Sequence, residues 1–331
     1  MRESSHPTAT ELKGMPTADL IARITRCGLD IPPGLPEEIV RRGEEARVPL
    51  CAIASDAAAW EADEAPEAWT PILAIFLLGA IGDARSAPVL VEVLRTRELG
   101  DFLCEGIAGI LAWLGRGAIE FVDPAARDPA LDSFQRAMAT LALYGIGCRD
   151  PSARGEVAAR LTSVVREADD AEFVALVADA VAHVDDVDAQ RALDAAFAEG
   201  RVFEGMIGRD DVTRLREEPP WTLVREISDP MGFFSARMLD QLRRVERERT
   251  EHRARAAERP AANARLRSPS TEGGAGAAVR ATLKVGRNDP LPVREREEVQ
   301  EVPRPMSGGG HLVRSRTIRR GQVSACGSPV E

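Results

Sequence analysis

The feature that most constrains the fold is a recurrence of paired apolar helical patterns along residues 69–200. Successive segments carry apolar side chains three and four residues apart, which is the spacing of one helix face. The first helix of each pair ends near Gly82, Gly115, Gly147 and Val184, so the pattern returns after 33, 32 and 37 residues. One helical hairpin cannot bury its apolar face alone, so neighbouring pairs must stack. We therefore predict an all-α chain, built as an α-solenoid of helical hairpins.

The predicted helical-repeat domain covers residues 16–240. Its paired helices are expected at 69–83, 86–96, 100–115, a short partner ending at Phe121, 132–147, 151–167, 171–186 and 189–200. An earlier helical pattern covers residues 36–60, with Pro49 as the expected boundary inside it. Runs that alternate apolar and polar residues, the mark of a half-buried strand, are absent from the sequence.

Residues 201–235 are less regular, because Pro219-Pro220 and Asp229-Pro230 interrupt helical patterns. We interpret this segment as a cap that closes one end of the repeat core. Its aromatic residues allow a second interpretation, a docking patch for a protein partner. The residues that would bind the partner are Trp221, Phe233 and Phe234.

Charge divides the chain into an acidic body and a basic end. The whole chain carries 43 Lys and Arg against 53 Asp and Glu, yet residues 241–331 alone hold 19 basic and 11 acidic residues. An acidic body repels the phosphate backbone, so nucleic acid is an unexpected partner. Residues 236–259 should form a charged, solvated helix, followed by a flexible linker over 260–283 and a disordered tail over 291–331.

Several classes of protein are disfavoured by simple patterns. The longest apolar stretch, 71–81, is shorter than the ~18 residues that span a bilayer, so no membrane partner is expected. The N-terminal residues MRESSHPTATELKG lack the apolar core of a secretory signal. The five cysteines are widely spaced and form no CxxC pair, which argues against a disulfide framework. We expect a cytoplasmic protein.

No motif with catalytic or metal-binding chemistry emerges. Lys13 and Lys284 follow no glycine-rich phosphate loop, and the Gly145-x-Gly147 pair has no preceding strand. His183 ends an apolar helix face, where a hydrogen-bonded structural histidine is the simpler interpretation. We therefore predict no catalytic residues, no enzyme activity and no cofactor in this chain as written.

The segment LLGAIGDARSAPVLVEVL, residues 77–94, resembles the HEAT-like repeats of the phycobilisome-lyase type. The matching features are the Leu-Gly-x-Ile-Gly-Asp turn with Gly82 and Asp83, then Arg85 and Pro88. The resemblance implies structural roles at the repeat turn for Gly82, Asp83 and Arg85. Residues 18–200 look more broadly like a bacterial family of unknown function that carries a C-terminal SEC-C motif.

Residues 284–290, KVGRNDP, resemble the opening of the SEC-C zinc motif. The remnant of that motif comprises Gly286, Arg287, Asn288, Asp289 and Pro290. In the family, four Cys or His ligands that bind one zinc follow this opening. The matching positions here hold no such ligand: they are Leu291, Val293, Val302 and Pro303. Zinc binding is therefore expected to be lost.

The loss has a specific explanation at the level of the gene. The residues LPVREREEVQEVP, 291–303, can be encoded by codons that, read one base later, spell Cys-Pro-Cys-Gly-Ser-Gly-Lys-Lys-Tyr-Lys-Lys-Cys-His. The shifted translation contains all four Cys and His ligands of the SEC-C motif. We interpret 291–331 as an out-of-frame tail, so zinc is expected only if the reading frame is restored. The alternative is a natural charged tail with a chance GRNDP.

Function is less constrained than fold. A surface of stacked helices suits binding of a protein or peptide, so a non-enzymatic interaction module is the leading hypothesis, its partner an unidentified protein. Two alternatives stay open. One is a HEAT-like enzyme of the bilin-lyase or DNA-glycosylase type. The other is a purely structural scaffold.

Overall fold

A computed structural model of the chain describes residues 6–62, 65–97, 99–222 and 229–266. Within these ranges the regular structure is entirely helical and contains no strand. The prediction of an all-α chain is thus confirmed for the part of the chain that the structure describes. The predicted zinc-motif remnant, the tail and most of the predicted linker lie outside the described residues.

The N-terminal part folds into short helices that pack against the start of the paired region. They are α1 (Ala9–Gly14), α2 (Thr17–Ile24), α3 (Leu35–Arg41), α4 (Glu44–Ser55) and α5 (Ala57–Trp60). α2 contacts α3 and α4, and α3 contacts the first helix of the paired region.

The paired region follows the predicted order closely. Its helices are α6 (Thr70–Ile81), α7 (Ala87–Thr96), α8 (Asp101–Leu114), α9 (Ile119–Arg127), α10 (Ser133–Arg149), α11 (Arg154–Glu167), α12 (Ala171–Ala182) and α13 (Val187–Ala198). Contacts run in two rows. Row A consists of α4, α6, α8, α10 and α12, each in contact with the next, and row B of α7, α9, α11 and α13.

The core of this region lies where the two rows meet. Each row contributes fully buried apolar side chains at similar positions in successive helices. Those of row A include Leu77, Leu111, Leu143 and Val177, and those of row B include Leu94, Val122, Leu161 and Leu193. The repeated apolar face that the sequence displays is therefore the face that each helix buries.

Several predicted helix boundaries are wrong: α9 runs past Phe121 to Arg127, and two more, at Pro49 and Gly147, have a clear physical reason. Pro49 lies inside α4 instead of ending a helix, and the break falls earlier, at Gly43. Gly43 has φ 54° and ψ −119°, a conformation that favours glycine and interrupts helical geometry. The helical hydrogen bond that Pro49 cannot make would end on the carbonyl of Glu45, an exposed residue.

Gly147 is the second wrong boundary. Gly82 and Gly115 do follow the last residues of α6 and α8, with positive φ angles of 73° and 74°. α10 instead continues through Gly147 to Arg149. Its glycine therefore serves a packing purpose, which the neighbouring side chains described below make clear.

The turn between α6 and α7 contains Gly82, Asp83 and Arg85. The Asp83 carboxylate accepts a hydrogen bond of 2.9 Å from the backbone N–H of Arg85. The Arg85 guanidinium also pairs with Glu44 of α4 at 2.7 Å. These contacts hold the turn against the preceding row A helix, and they involve structural groups at an exposed edge.

Two more helices follow the paired region. α14 (Arg209–Arg216) packs on α12, while α15 (Ala236–Leu266) is a long helix whose charged side chains are largely exposed up to residue 253. α15 runs past Pro260, where the sequence predicts the start of a linker. The residues after Pro260 include Ala261, Ala262 and Ala264, and alanine has the highest helix propensity.

One helical stretch in the described part of the chain, Phe102–Arg127, is long and apolar enough to cross a membrane by length and composition alone. Half of its most apolar window is buried inside the protein. The stretch comprises α8, a 3₁₀ turn and α9, and its side chains Ile107, Leu111 and Val122 belong to the core. Its apolar character therefore matches that of a core helix pair.

Candidate binding face

The chain that follows α14 turns back and contacts row A in two places. We call residues 218–222 the first anchor, which lies against α10 and α12. We call Pro230–Phe234 the second anchor, a 3₁₀ turn that lies against α6. Residues 201–216 pack on α11 and α12. The first anchor contacts the end of α12 and the earlier helix α10, and the second anchor contacts α6.

Trp221 is the centre of the first anchor. Its side chain is buried, and its ring stacks on that of Tyr144 with centroids 5.7 Å apart and planes 12° apart. The Arg154 guanidinium lies over the indole at 5.4 Å from the ring centroid. A Cβ atom added at Gly147 would lie 2.3 Å from the indole, so the missing side chain of Gly147 makes room for Trp221.

Hydrogen bonds hold the backbone around Trp221. Its N–H donates to the carbonyl of His183 at 2.7 Å, and the Tyr144 hydroxyl donates to the carbonyl of Thr222. Burial raises the pKa of the Tyr144 hydroxyl, which keeps it protonated as a donor. Trp221 has a φ of 59°, a left-handed conformation that is strained for a bulky side chain.

His183 links the first anchor to the end of α12. The ring is buried, and Nδ1 donates to the Asp179 carbonyl at 2.8 Å because a carbonyl can only accept. Nε2 faces Oε2 of Glu218 at 3.2 Å. A structural, hydrogen-bonded histidine agrees with this geometry, and its partner is a residue of the anchor.

The second anchor places an aromatic side chain on α6. Phe233 is buried and stacks on Phe76 with centroids 3.9 Å apart and planes 16° apart. Pro230 lies beside Gly79, where an added Cβ would come within 3.1 Å of the proline. Phe234 is half-buried and meets Phe233 edge-on at 5.2 Å.

The start of α15 then contacts the loop between α2 and α3 and the 3₁₀ turn before α6. Arg243 donates to the carbonyl of Leu29 at 2.7 Å and lies 3.4 Å from the Asp30 carboxylate. The Trp69 indole N–H donates to Glu246 at 3.0 Å. Residues 218–222 and 230–246 therefore contact row A at α12, α10 and α6 and then reach the beginning of the chain.

The three aromatic residues predicted for docking thus have different surroundings. Trp221 and Phe233 are buried against the chain's own helices, and Phe234 keeps part of its surface exposed. The predicted motif remnant and the positions that replace its zinc ligands lie outside the described residues. Gly82, Asp83 and Arg85 lie together in the α6–α7 turn.

Sequence reasoning missed the residues that receive the anchors, namely Tyr144, Gly147, Arg154 and Phe76. One signal could have indicated them. Glycine inside a helix costs about 1 kcal/mol relative to alanine, so a glycine in an apolar helix suggests that something must approach closely. Gly79, Gly106 and Gly147 all lie inside row A helices and close to aromatic or proline side chains.

The polar groups of this face include a thiol beside the Tyr144 ring. Burial raises the pKa of the Cys148 thiol beside Tyr144, which disfavours the nucleophilic thiolate. Among the described residues, no group of three or more His, Cys, Asp or Glu side chains could hold a metal ion. The contacts described on this face are ring stacking, a cation–π contact, backbone hydrogen bonds and a His–Glu pair.

Comparisons with protein-family models, with curated proteins and with solved structures give no match to this chain.

Proposed function

We propose that this chain is a HEAT-like α-solenoid of helical hairpins that works as a non-enzymatic protein-interaction module. Its partner would be a protein that presents an extended segment to row A. The ordered contacts within row A and within row B support the solenoid part of the proposal, because each helix meets the equivalent helix of the next pair. Stacked helical pairs provide long surfaces of this kind for peptides.

One observation carries the proposal. The chain's own residues 218–222 bind to row A as a non-helical segment, through an aromatic anchor and backbone hydrogen bonds. These are the means by which helical-groove and extended-peptide sites recognise partners. A surface that holds one such segment has the pockets and donors to hold another.

The test uses the full chain with weakened anchors. The Trp221→Ala/Phe233→Ala variant should leave the face open, and a labelled peptide copying residues 217–235 should then bind in trans. In the unaltered chain the tethered segment competes at an effective concentration on the order of millimolar. We expect fluorescence anisotropy to show binding to the variant at least about tenfold tighter than to the unaltered chain.

A matched control is Phe203→Ala, which removes an exposed phenylalanine outside both anchors. This variant should bind the peptide as weakly as the unaltered chain. Circular dichroism and gel filtration check that each variant is folded. A folded double variant that binds the peptide no better than the unaltered chain would contradict the proposal.

A further inference from the structure

The first anchor occupies a slot whose shape depends on one missing side chain. The walls of the slot are the Tyr144 ring, the Arg154 guanidinium and the backbone of Gly147. Any side chain at position 147 would overlap the indole, since even a Cβ would lie 2.3 Å from it. The flat ring of Tyr144 and the cation of Arg154 both favour a planar aromatic guest.

The slot also forms hydrogen bonds with the backbone of the segment that occupies it. The carbonyl of His183 accepts from the N–H of Trp221 at 2.7 Å, and the Tyr144 hydroxyl donates to the following carbonyl, that of Thr222. These bonds involve main-chain groups, so they hold any segment that brings an aromatic residue into the slot. They set the direction and register of the bound segment without selecting its sequence.

A third contact adds charge selection. Glu218, three residues before Trp221, places Oε2 3.2 Å from Nε2 of His183. The imidazole side chain is 3% exposed, whereas the Glu218 side chain is 55% exposed. The site therefore contains a buried, oriented imidazole whose Nε2 donates to a carboxylate arriving from solvent when the ring carries a proton on each nitrogen. Because Glu218 lies three residues before Trp221, the site would favour an acidic residue at the third position before the aromatic residue.

The chain's own segment fills this site under strain. Trp221 adopts a left-handed φ of 59° after two consecutive prolines. A bulky residue holds that conformation only where surrounding contacts impose it. A partner segment that reaches the slot with a relaxed backbone would lack this strain, so it could displace the tethered one.

We infer that the slot formed by Tyr144, Gly147, Arg154 and His183 recognises partner segments of the form acidic-x-x-aromatic, and that residues 218–222 are a built-in mimic of that partner. The mimic blocks the slot until a partner of the same chemistry replaces it. This inference rests on the proposed function, since it specifies which segment the row A face selects.

Peptide variants test the inference without altering the protein's fold. Four peptides copying residues 217–235 are titrated into the full-chain Trp221→Ala/Phe233→Ala variant: the unaltered copy and copies with Trp221→Ala, Glu218→Gln or Glu217→Gln. We expect Trp221→Ala to weaken binding at least about tenfold. Glu218→Gln should weaken binding about threefold, because its carboxylate is partly exposed. The neighbouring Glu217→Gln is the matched control and should leave the affinity unchanged.

A second chain variant tests whether the His183 side chain contacts the Glu218 carboxylate of the bound peptide. When His183→Gln is added to the protein, the difference between the unaltered and the Glu218→Gln peptides should disappear, while the loss from Trp221→Ala should remain. Binding of all four peptides with equal affinity would overturn this inference and leave the proposed function standing. Failure of every peptide to bind the folded variant would overturn the proposed function itself.

Discussion

At the scale of single residues, Gly147 shows how a distant neighbour determines the choice of amino acid. Its position inside α10 makes no demand for a positive φ, so alanine would suit the helix better by about 1 kcal/mol. The demand comes from Trp221, whose indole occupies the space where a Cβ would be. The glycine therefore stabilises a contact between residues 74 positions apart in the sequence.

The first prediction is that the effect of Gly147→Ala on the free energy of unfolding has opposite signs in the unaltered chain and in a Trp221→Ala chain. In the unaltered chain it should lower the free energy of unfolding by about 2 kcal/mol, because the added methyl group overlaps the indole. In a Trp221→Ala chain the same substitution should raise the free energy of unfolding by up to about 1 kcal/mol, through helix propensity. Urea unfolding of the four chains measures both values.

Gly109→Ala is the control for this pair. Gly109 lies inside α8 with no atom within 4 Å of an added Cβ, so alanine should stabilise both backgrounds equally. Equal effects of Gly147→Ala in the two backgrounds would contradict the assigned contact.

Glu38 carries the second prediction at this scale. The Arg41 and Arg42 guanidinium groups donate to its buried carboxylate and lower its pKa to about 2. A carboxyl whose pKa falls on folding contributes stability above its unfolded pKa of 4.5, and that contribution disappears as the pH falls towards 2. Glu38→Gln should therefore cost about 2 kcal/mol at pH 7 and progressively less below pH 4.5.

Urea unfolding at pH 7 and at pH 3 measures this difference. Glu37→Gln alters the exposed neighbour on the same helix and should change the free energy of unfolding by less than about 0.5 kcal/mol at either pH. A cost of Glu38→Gln that is the same at both pH values would show that its charge is not involved.

At the scale of elements, row B is joined by a buried carboxylate as well as by apolar packing. Asp123 of α9 has a side chain that is 8% exposed, and it pairs with Arg127 of its own helix at 3.0 Å. It also pairs with Arg160 of α11 at 2.9 Å. A carboxylate between two arginines sets the relative position of the two helices, because a shift of either helix would leave a buried charge without a partner.

The third prediction follows from that arrangement. Asp123→Asn should lower the free energy of unfolding by about 3 kcal/mol, since two arginines lose the charge that they share. Adding Arg160→Ala should cost little more, because the pair has already been broken. The exposed Glu120→Gln on the same helix is the matched control, and thermal unfolding measures all of these chains. Additive costs of the two substitutions would show that the pair is not coupled.

At the scale of the whole molecule, residues 233–246 contact residues 29–76 in the first part of the chain. Arg243 contacts the Leu29 carbonyl, and Glu246 accepts from the Trp69 indole, while Phe233 stacks on Phe76. These contacts join residues more than 150 positions apart in the sequence.

The fourth prediction concerns the residues beyond the described chain. If the reading frame slips after Pro290, resequencing the codons for Asn288 to Val293 should reveal one base fewer, and the restored chain should bind one zinc ion with four Cys and His ligands. The chain as written should bind no stoichiometric zinc. Metal analysis after dialysis compares the two chains, with a restored chain lacking one new cysteine as the control. An unchanged gene sequence would contradict the frameshift.

Much of the local structure is predictable because its causes are local. The apolar spacing of residues 69–200 predicts helices whose ends mostly agree with α6 to α13 within a few residues. Gly82 and Gly115 mark helix ends in the sequence because a left-handed backbone there needs no distant partner. The role of Gly147 is hidden because a glycine that ends a helix and one that admits a neighbour look the same in a sequence.

The location of the anchors could be known only from the folded chain. Composition identifies Trp221 and Phe233 as an apolar cluster, which favours a cap but also allows a docking patch. The slot around Trp221 is made by residues of α10, α11 and α12, and nothing in the spacing of those residues relates them to position 221. Helix formation depends on neighbours three and four residues away, so helices can be predicted from a single sequence. The pairing of two helix surfaces depends on their shapes and on hydrogen-bond donors from distant parts of the sequence. These surfaces exist only once the helices have packed.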